Sequence, residues 1–417
     1  MTTIERTVWR NGPFLRLWTG ETASAIGSQL AGLAIPTLAV TVLAASTFEV
    51  GLLNAVETLA FLVIGLPAGA WVDRLRKRRV MLTADLARAL LLATIPAAAL
   101  LGVLTFWQLL VVGALVGAAT VFFDVAYQSY PPIILPGPLL GDANGALEGS
   151  QQVARVGGPA ASGALLAILR PAFVVGIDAL SFFVSFLAIA SIRDDERPRP
   201  ETDRQPLVAE IREGLGFVFR QPLLVRVVLC TAGSNLGSTI SFTMLPILVL
   251  RHLDLGTTVW GAATSVGAIG GLIGAMTSAR VARWIGEGTA IPVAAVIAAI
   301  GTLLLAVPTL APGASIPLLV VAEFVSSFGI LVYNITQLTY RQRICPPALL
   351  GRMNASIRFV VWGVMPIGGV LAGLLGTWLG TPATMVIGGA VTLLATIPVL
   401  VSPLLGMREL PTEPARL

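Results

Sequence analysis

Residues 48–103 read FEVGLLNAVETLAFLVIGLPAGAWVDRLRKRRVMLTADLARALLLATIPAAALLGV, two long apolar runs joined by a short hinge crowded with basic residues. Crossing the hydrocarbon core of a bilayer takes about 20 apolar residues, and each run supplies that length. The hinge carries Arg74, Arg76, Lys77, Arg78 and Arg79, which holds it in water on the side where positive loops are retained. Two buried helices of a soluble protein would account for one such hairpin. The pattern continues through the whole chain, and a soluble core does not.

Of 417 residues, 55% are hydrophobic and 12% charged, with mean hydropathy +0.86. Soluble domains carry about 25% charged residues, so the fold class is an all-α membrane protein. Hydropathy with Gly/Pro punctuation predicts twelve spans. Those of the first half are 14–44, 48–72, 80–103, 105–131, 142–169 and 171–192. Those of the second are 222–250, 255–282, 289–310, 314–341, 351–378 and 382–405. The expected division is a first six-helix bundle (1–192), a linker (193–221) and a second bundle (222–417).

Basic residues set the orientation. Arginines precede span 1, crowd the 2–3 hinge and recur in 193–220, at Arg280, Arg283, Arg341, Arg343 and Arg352, and near the end. Outer loops hold only Arg170 and Arg251. Both termini are therefore expected in the cytoplasm of a bacterial inner membrane, the first span acting as its own insertion signal. The net charge of +5 serves topology and makes no aromatic-studded patch for nucleic acid. Cys230 and Cys345 form no disulfide or metal pattern, so no metal and no cofactor is expected. Residues 193–206 (RDDERPRPETDRQP) are too polar to bury. Leu207, Ile211, Leu215 and Val218 then space one apolar face of a helix lying on the inner membrane surface.

The halves match at a fixed offset of 210. Ser24, Gly27, Ser28 and Pro36 recur as Ser234, Gly237, Ser238 and Pro246; Gly51 recurs as Gly261; Gly141, Asn144 and Gly163 recur as Gly351, Asn354 and Gly373. Six spans per half is even, so the bundles insert in the same sense. A pseudo-two-fold axis along the membrane normal would relate them, with a cavity at their interface.

The hinge resembles the signature loop of the major facilitator superfamily, G-x-x-x-D-R-x-G-x-R-R. Gly69, Asp73, Arg74, Arg78 and Arg79 fill their slots, and Arg76 replaces the second glycine. An acid there can engage arginines and the positive end of a neighbouring helix, latching the inner side closed; the arginines also enforce topology. The second-half copy keeps Ala279, Arg283 and Gly286 without the acid. In span 5, Gly158, Pro159 and Gly163, with Ser162 in a glycine slot, are similar to an element of the antiporter branch; close packing by small residues explains it equally. The segments LRLWTGETASAIGSQL, TADLARALLLA, IDALSFFVSFLAIA and EIREGLGFVFRQPLL resemble a subgroup of macrolide-type efflux pumps and siderophore exporters.

Charges at membrane depth are costly and mark functional candidates. Span 10 places Glu323, Ser327, Asn334 and Gln337 on one face. Span 4 places Asp124, with Tyr127 nearby, and span 5 places Glu148, Gln151, Gln152 and Arg155. Span 1 places Glu21, Ser24 and Ser28, span 7 Ser234 and Ser238, and span 11 Arg358 and Trp362. The resemblance implies that spans 1, 4, 7 and 10 line the cavity. Proton carriers are sought among Glu21, Asp124, Glu323, Glu148 and Glu57. Asp124 is expected to pair with Arg155, as a coupling or a static pair; Asp85, Arg88 and Asp178 are expected in structural networks. The expectation is a monomeric, proton-driven exporter of a mid-sized amphiphilic compound such as a macrolide-like drug, a siderophore or a secondary metabolite, with import, lipid flipping or membrane sensing as alternatives. No nucleophile–base pair points to an enzyme.

Overall fold

The structure, a computed structural model, describes residues 7–65, 68, 71–72, 75–193, 216–346 and 350–411. Its regular elements are helices. The longer ones among the described residues are α1 (Gly12–Thr37), α2 (Thr47–Val63), α3 (Lys77–Leu100), α4 (Phe106–Gln128), α5 (Leu140–Ile168) and α6 (Pro171–Ala190), then α7 (Pro222–Ile247), α8 (Gly256–Ile285), α9 (Glu287–Leu304), α10 (Ser315–Ile344), α11 (Leu350–Leu379) and α12 (Thr381–Leu394); short helical turns join some of them. Among the described residues ten helices are long and apolar enough to cross a membrane. α2 is described over 17 residues, and α5 is long but polar, with Asp142, Glu148 and Arg155 along it. Gly69, Asp73, Arg74 and most of the expected 207–220 helix lie outside the described residues. Of that helix, residues 216–219 are helical, and Val218 packs inward beside Leu224 and Ile357.

The chain divides into two compact units, residues 1–44 with 59–203 and residues 45–58 with 204–417. The division differs from the expected one in that residues 45–58 group with the later half. In unit 1, α1 packs on α5 and α6, and α3 on α4 and α6. In unit 2, α7 packs on α11 and α12, and α9 on α10 and α12. Shifted by six helices, those are the same neighbours.

The offset of 210 recurs in the local geometry of each unit. Arg16 Nη1 donates to the Ser191 carbonyl beyond α6 at 2.5 Å, and Arg226 Nη1 to the Val401 carbonyl at 3.0 Å. A cation on the last carbonyls of a helix favours both the hydrogen bond and the helix dipole. Arg78 adds to this in unit 1, donating to the carbonyls of Ile189 and Ala190. α1 ends in a wide π turn over Leu38–Val42 and α7 in another over Leu248–His252. Each comes after a proline, Pro36 or Pro246, which cannot donate to the preceding turn. Each runs into a non-glycine residue in the left-handed region, Ala44 (φ 49°) and Asp254 (φ 48°).

Small residues let the backbones touch. At Gly27 a Cβ would lie 2.6 Å from Asp178 Oδ1 on α6; at Gly237 it would lie 2.5 Å from the Gly388 carbonyl on α12. Gly267, Gly270, Gly271 and Gly274 form the α8 face against α10, and Gly329 of α10 admits the backbone of α9, with Ala298 Cα 2.8 Å from where a Cβ would stand. Overpacking such a contact costs about 1–3 kcal/mol or more. Gly329→Val is therefore expected to lower the thermal midpoint and folded yield in detergent, whereas Gly313→Val, with open space around it, leaves both unchanged.

Candidate functional site

Unit 1 buries a charged cluster where α1, α3 and α6 meet. Asp85 and Arg88 sit one turn apart on α3, 0% and 3% exposed, and Arg88 Nη2 donates to Asp85 Oδ1 at 2.5 Å. The guanidinium carbon lies 4.2 Å from the ring centre of Phe123 on α4 and 4.1 Å from that of Phe182 on α6. Two aromatic faces thus replace the water that the cation gives up, worth about 0.5–2 kcal/mol each. Asp178 of α6, 3% exposed, accepts from Ser181 Oγ at 3.1 Å and lies within electrostatic reach of Arg88. Glu21 of α1, 7% exposed, lies within reach of Asp85, Arg88 and Asp124, and its Oε1 is buried without a hydrogen-bond partner.

The rest of the polar set in unit 1 is more open. Asp124 and Tyr127 are half-buried on α4, and Tyr127 is within reach of Glu21, Asp124 and Glu148. Ser24 is buried beside Glu21 on α1, while Ser28 is exposed. On α5, Glu148 is exposed and accepts from Gln152 Nε2 at 2.8 Å; Gln151 and Gln152 are half-buried. Arg155 is exposed and forms no ion pair among the described residues. The buried ion pair among the described residues is Asp85–Arg88, one turn apart on α3. The helix 5 element packs on α1. Gly158 meets the Gln29 side chain, Pro159 and Gly163 are buried, and Ser162 Oγ donates to the Leu30 carbonyl at 2.8 Å. A serine in the glycine slot therefore ties α5 to α1.

In unit 2 the α10 polar face divides. Glu323, 4% exposed, lies against Gly267 of α8, where a Cβ would meet its Oε2 at 2.9 Å. Ser327 faces Gly271 on the same seam, Asn334 is exposed, and Gln337 is buried with its Oε1 unpartnered. Glu323 and Ser327 thus sit in a helix seam. Periodicity located their face but not the helix it meets. Tyr333 is buried as a tie to α7: it shares a 2.8 Å hydrogen bond with Thr231 and donates to the Val227 carbonyl at 3.1 Å. Ser234 and Ser238 are half-buried on α7. Between them Asn235, not singled out from sequence, donates to the Val361 carbonyl on α11 at 2.7 Å. Glu57 of α2 is half-buried. On α11, Arg358 is exposed with its guanidinium 5.0 Å from the ring centre of Trp362.

Comparisons with known proteins agree with this architecture. The family model described as Major Facilitator Superfamily matches residues 17–367. The multidrug efflux pump Tap of Mycolicibacterium fortuitum is 27% identical, the match covering 97% of this chain and 99% of the pump. Macrolide efflux protein A of Streptococcus pyogenes is 23% identical over 92% of this chain and 94% of its own. Among solved structures, a bacterial homologue of the iron transporter ferroportin in an inward-facing state superposes with TM-score 0.74 at 18% identity, covering 95% of this chain and 99% of that one. At that identity the likeness speaks for the fold alone.

Proposed function

Because the chain belongs to the Major Facilitator Superfamily, and is therefore a multi-pass membrane transporter, we propose that it exports small amphiphilic molecules by proton-coupled antiport. The observation carrying the export reading is its end-to-end similarity to efflux pumps. The two halves of the sequence, residues 1–192 and 222–417, act as six-helix bundles of like insertion, related by a parallel repeat. The recurrence at 210 of terminal arginine bonds, π turns and helix neighbours supports that reading. Both termini face the cytoplasm of a bacterial inner membrane, a reading that the placement of basic residues supports. Cargo is a drug-like compound, siderophore or secondary metabolite, and the driving partner is the proton gradient.

The cluster of unit 1 supports proton coupling. Three buried carboxyls, Glu21, Asp85 and Asp178, surround one guanidinium. Fully ionised, they would leave two uncompensated negative charges in an apolar interior, an arrangement that costs several kcal/mol per charge. Asp85 already has Arg88 and Asp178 has hydroxyls. Glu21 has an unpartnered oxygen and is the group we assign to carry the exchanged proton. Glu323, in its seam with no ionisable neighbour among the described residues, is the weaker candidate.

An efflux-deficient bacterium expressing the chain is expected to tolerate at least fourfold more of some macrolide or other amphiphilic drug than the vector control, and to lose that tolerance with a protonophore. Equal inhibition across a broad panel would remove the export reading; increased drug accumulation would replace it with uptake.

A further inference from the structure

A second polar cluster, confined to unit 2, lies at the ends of α10 and α11 nearest each other in sequence, and the buried acids of unit 1 do not explain it. Tyr333, Gln337 and Arg341 recur every fourth residue on one face of α10. Arg341 is half-buried and its Nε has no acceptor. It lies close enough to Arg358 of α11 for the two charges to repel, and Arg358 is held over the face of Trp362. Neither guanidinium has a carboxylate partner among the described residues; the ion pairs there are Asp85–Arg88 and Glu287–Arg343.

Two like charges within electrostatic reach of each other, one half-buried with an unsatisfied N–H, are stabilised when an anion joins them. Guanidinium groups take oxyanions in paired hydrogen bonds. Trp362 offers a flat apolar face beside Arg358. The buried carbonyl oxygen of Gln337 lacks a donor, and a hydroxyl or N–H on the same ligand, adjacent to its acid, satisfies it. We propose that Arg341, Arg358, Gln337 and Trp362 form an oxyanion site for cargo, and that the preferred cargo is a flat amphiphile bearing an acid next to a hydrogen-bond donor. The proposal rests on the transporter reading and narrows its substrate class. A phosphate of the surrounding lipid presents the same oxyanion chemistry, so the test separates the two sources.

The probe is hydroxynaphthoate, a fluorescent flat hydroxy acid, compared with its uncharged methyl ester. Binding to the purified full chain is followed by anisotropy in nanodiscs of zwitterionic lipid. Acid is expected to bind at least about tenfold more tightly than ester, since a hydrogen bond to a charged group carries roughly that factor. Arg358→Gln and Arg341→Gln are each expected to weaken the acid about tenfold and leave the ester unchanged; unaltered ester binding shows that the fold survives. Arg358→Lys, which keeps the charge but not the paired geometry, is expected to fall between, and it carries the comparison if a glutamine variant does not fold. Equal affinity for acid and ester, or an acid affinity untouched by these variants, overturns the proposal. So does loss of acid binding when anionic lipid replaces part of the bilayer, which assigns the site to headgroups. Equilibrium binding involves no transport, so acid selectivity in a chain that fails to export would remove the exporter reading and leave the oxyanion site standing.

Discussion

Glu21→Gln is expected to abolish efflux against a concentration gradient, by more than tenfold in initial rate, while downhill exchange of the same drug continues near the wild-type rate. The amide keeps the shape of the side chain and its place among Asp85, Arg88 and Asp124, and it carries no exchangeable charge. A transporter that cannot load the proton loses its coupling to the gradient, whereas rocking with cargo on both sides needs none. Proteoliposomes with an imposed pH gradient provide the measurement. Uphill efflux at the wild-type rate would sink the assignment of Glu21. Glu323→Gln in the same assay is expected to retain uphill efflux, because its carboxyl lies against Gly267 in the α8–α10 seam.

Arg88→Gln is expected to have the largest structural effect. It removes the cation from between Phe123 and Phe182 and leaves Asp85, 0% exposed, without its partner. Breaking a buried pair on one side costs about 3–5 kcal/mol, enough to deplete the folded protein in a marginally stable chain. Adding Asp85→Asn removes the stranded charge, so the double variant is expected to regain much of the yield and thermal midpoint. If Arg88→Gln alone folds and melts like wild type, the pair is not a structural anchor. If the double variant folds but uphill transport remains lost, Arg88 also tunes Glu21.

Sequence carried the fold a long way and the site only part of it. Long apolar runs locate helices because the bilayer leaves backbone groups no other partner, and even the polar α5 is legible from its small-residue and proline punctuation. The match at 210 is read from a few glycines, serines and prolines, and Gly27 and Gly237 have a physical reason to be there: each lets a neighbouring helix approach. What one sequence does not supply is which helix a polar face meets. The spacing of Glu323 and Ser327 defines a face, yet only tertiary packing turns it onto the glycines of α8. Asp85 and Arg88, three residues apart on a helix, carry a visible pairing signal; the rings of Phe123 and Phe182 that enclose the cation come from helices distant in sequence. Arg341 reads as a topology arginine at a helix end, and the burial of its Nε without an acceptor comes from tertiary packing.

The wide closing turns of α1 and α7 have a bearing on how the chain can be recombined. Each houses one residue more than an ordinary turn, at matching positions. A chimera that exchanges residues 12–44 for 222–254 would carry the surplus residue along and keep the later helices in phase. A crossover that drops one residue inside 38–42 would close the wide turn to an ordinary one, and the loss of a second would rotate the rest of that helix end by about 100°.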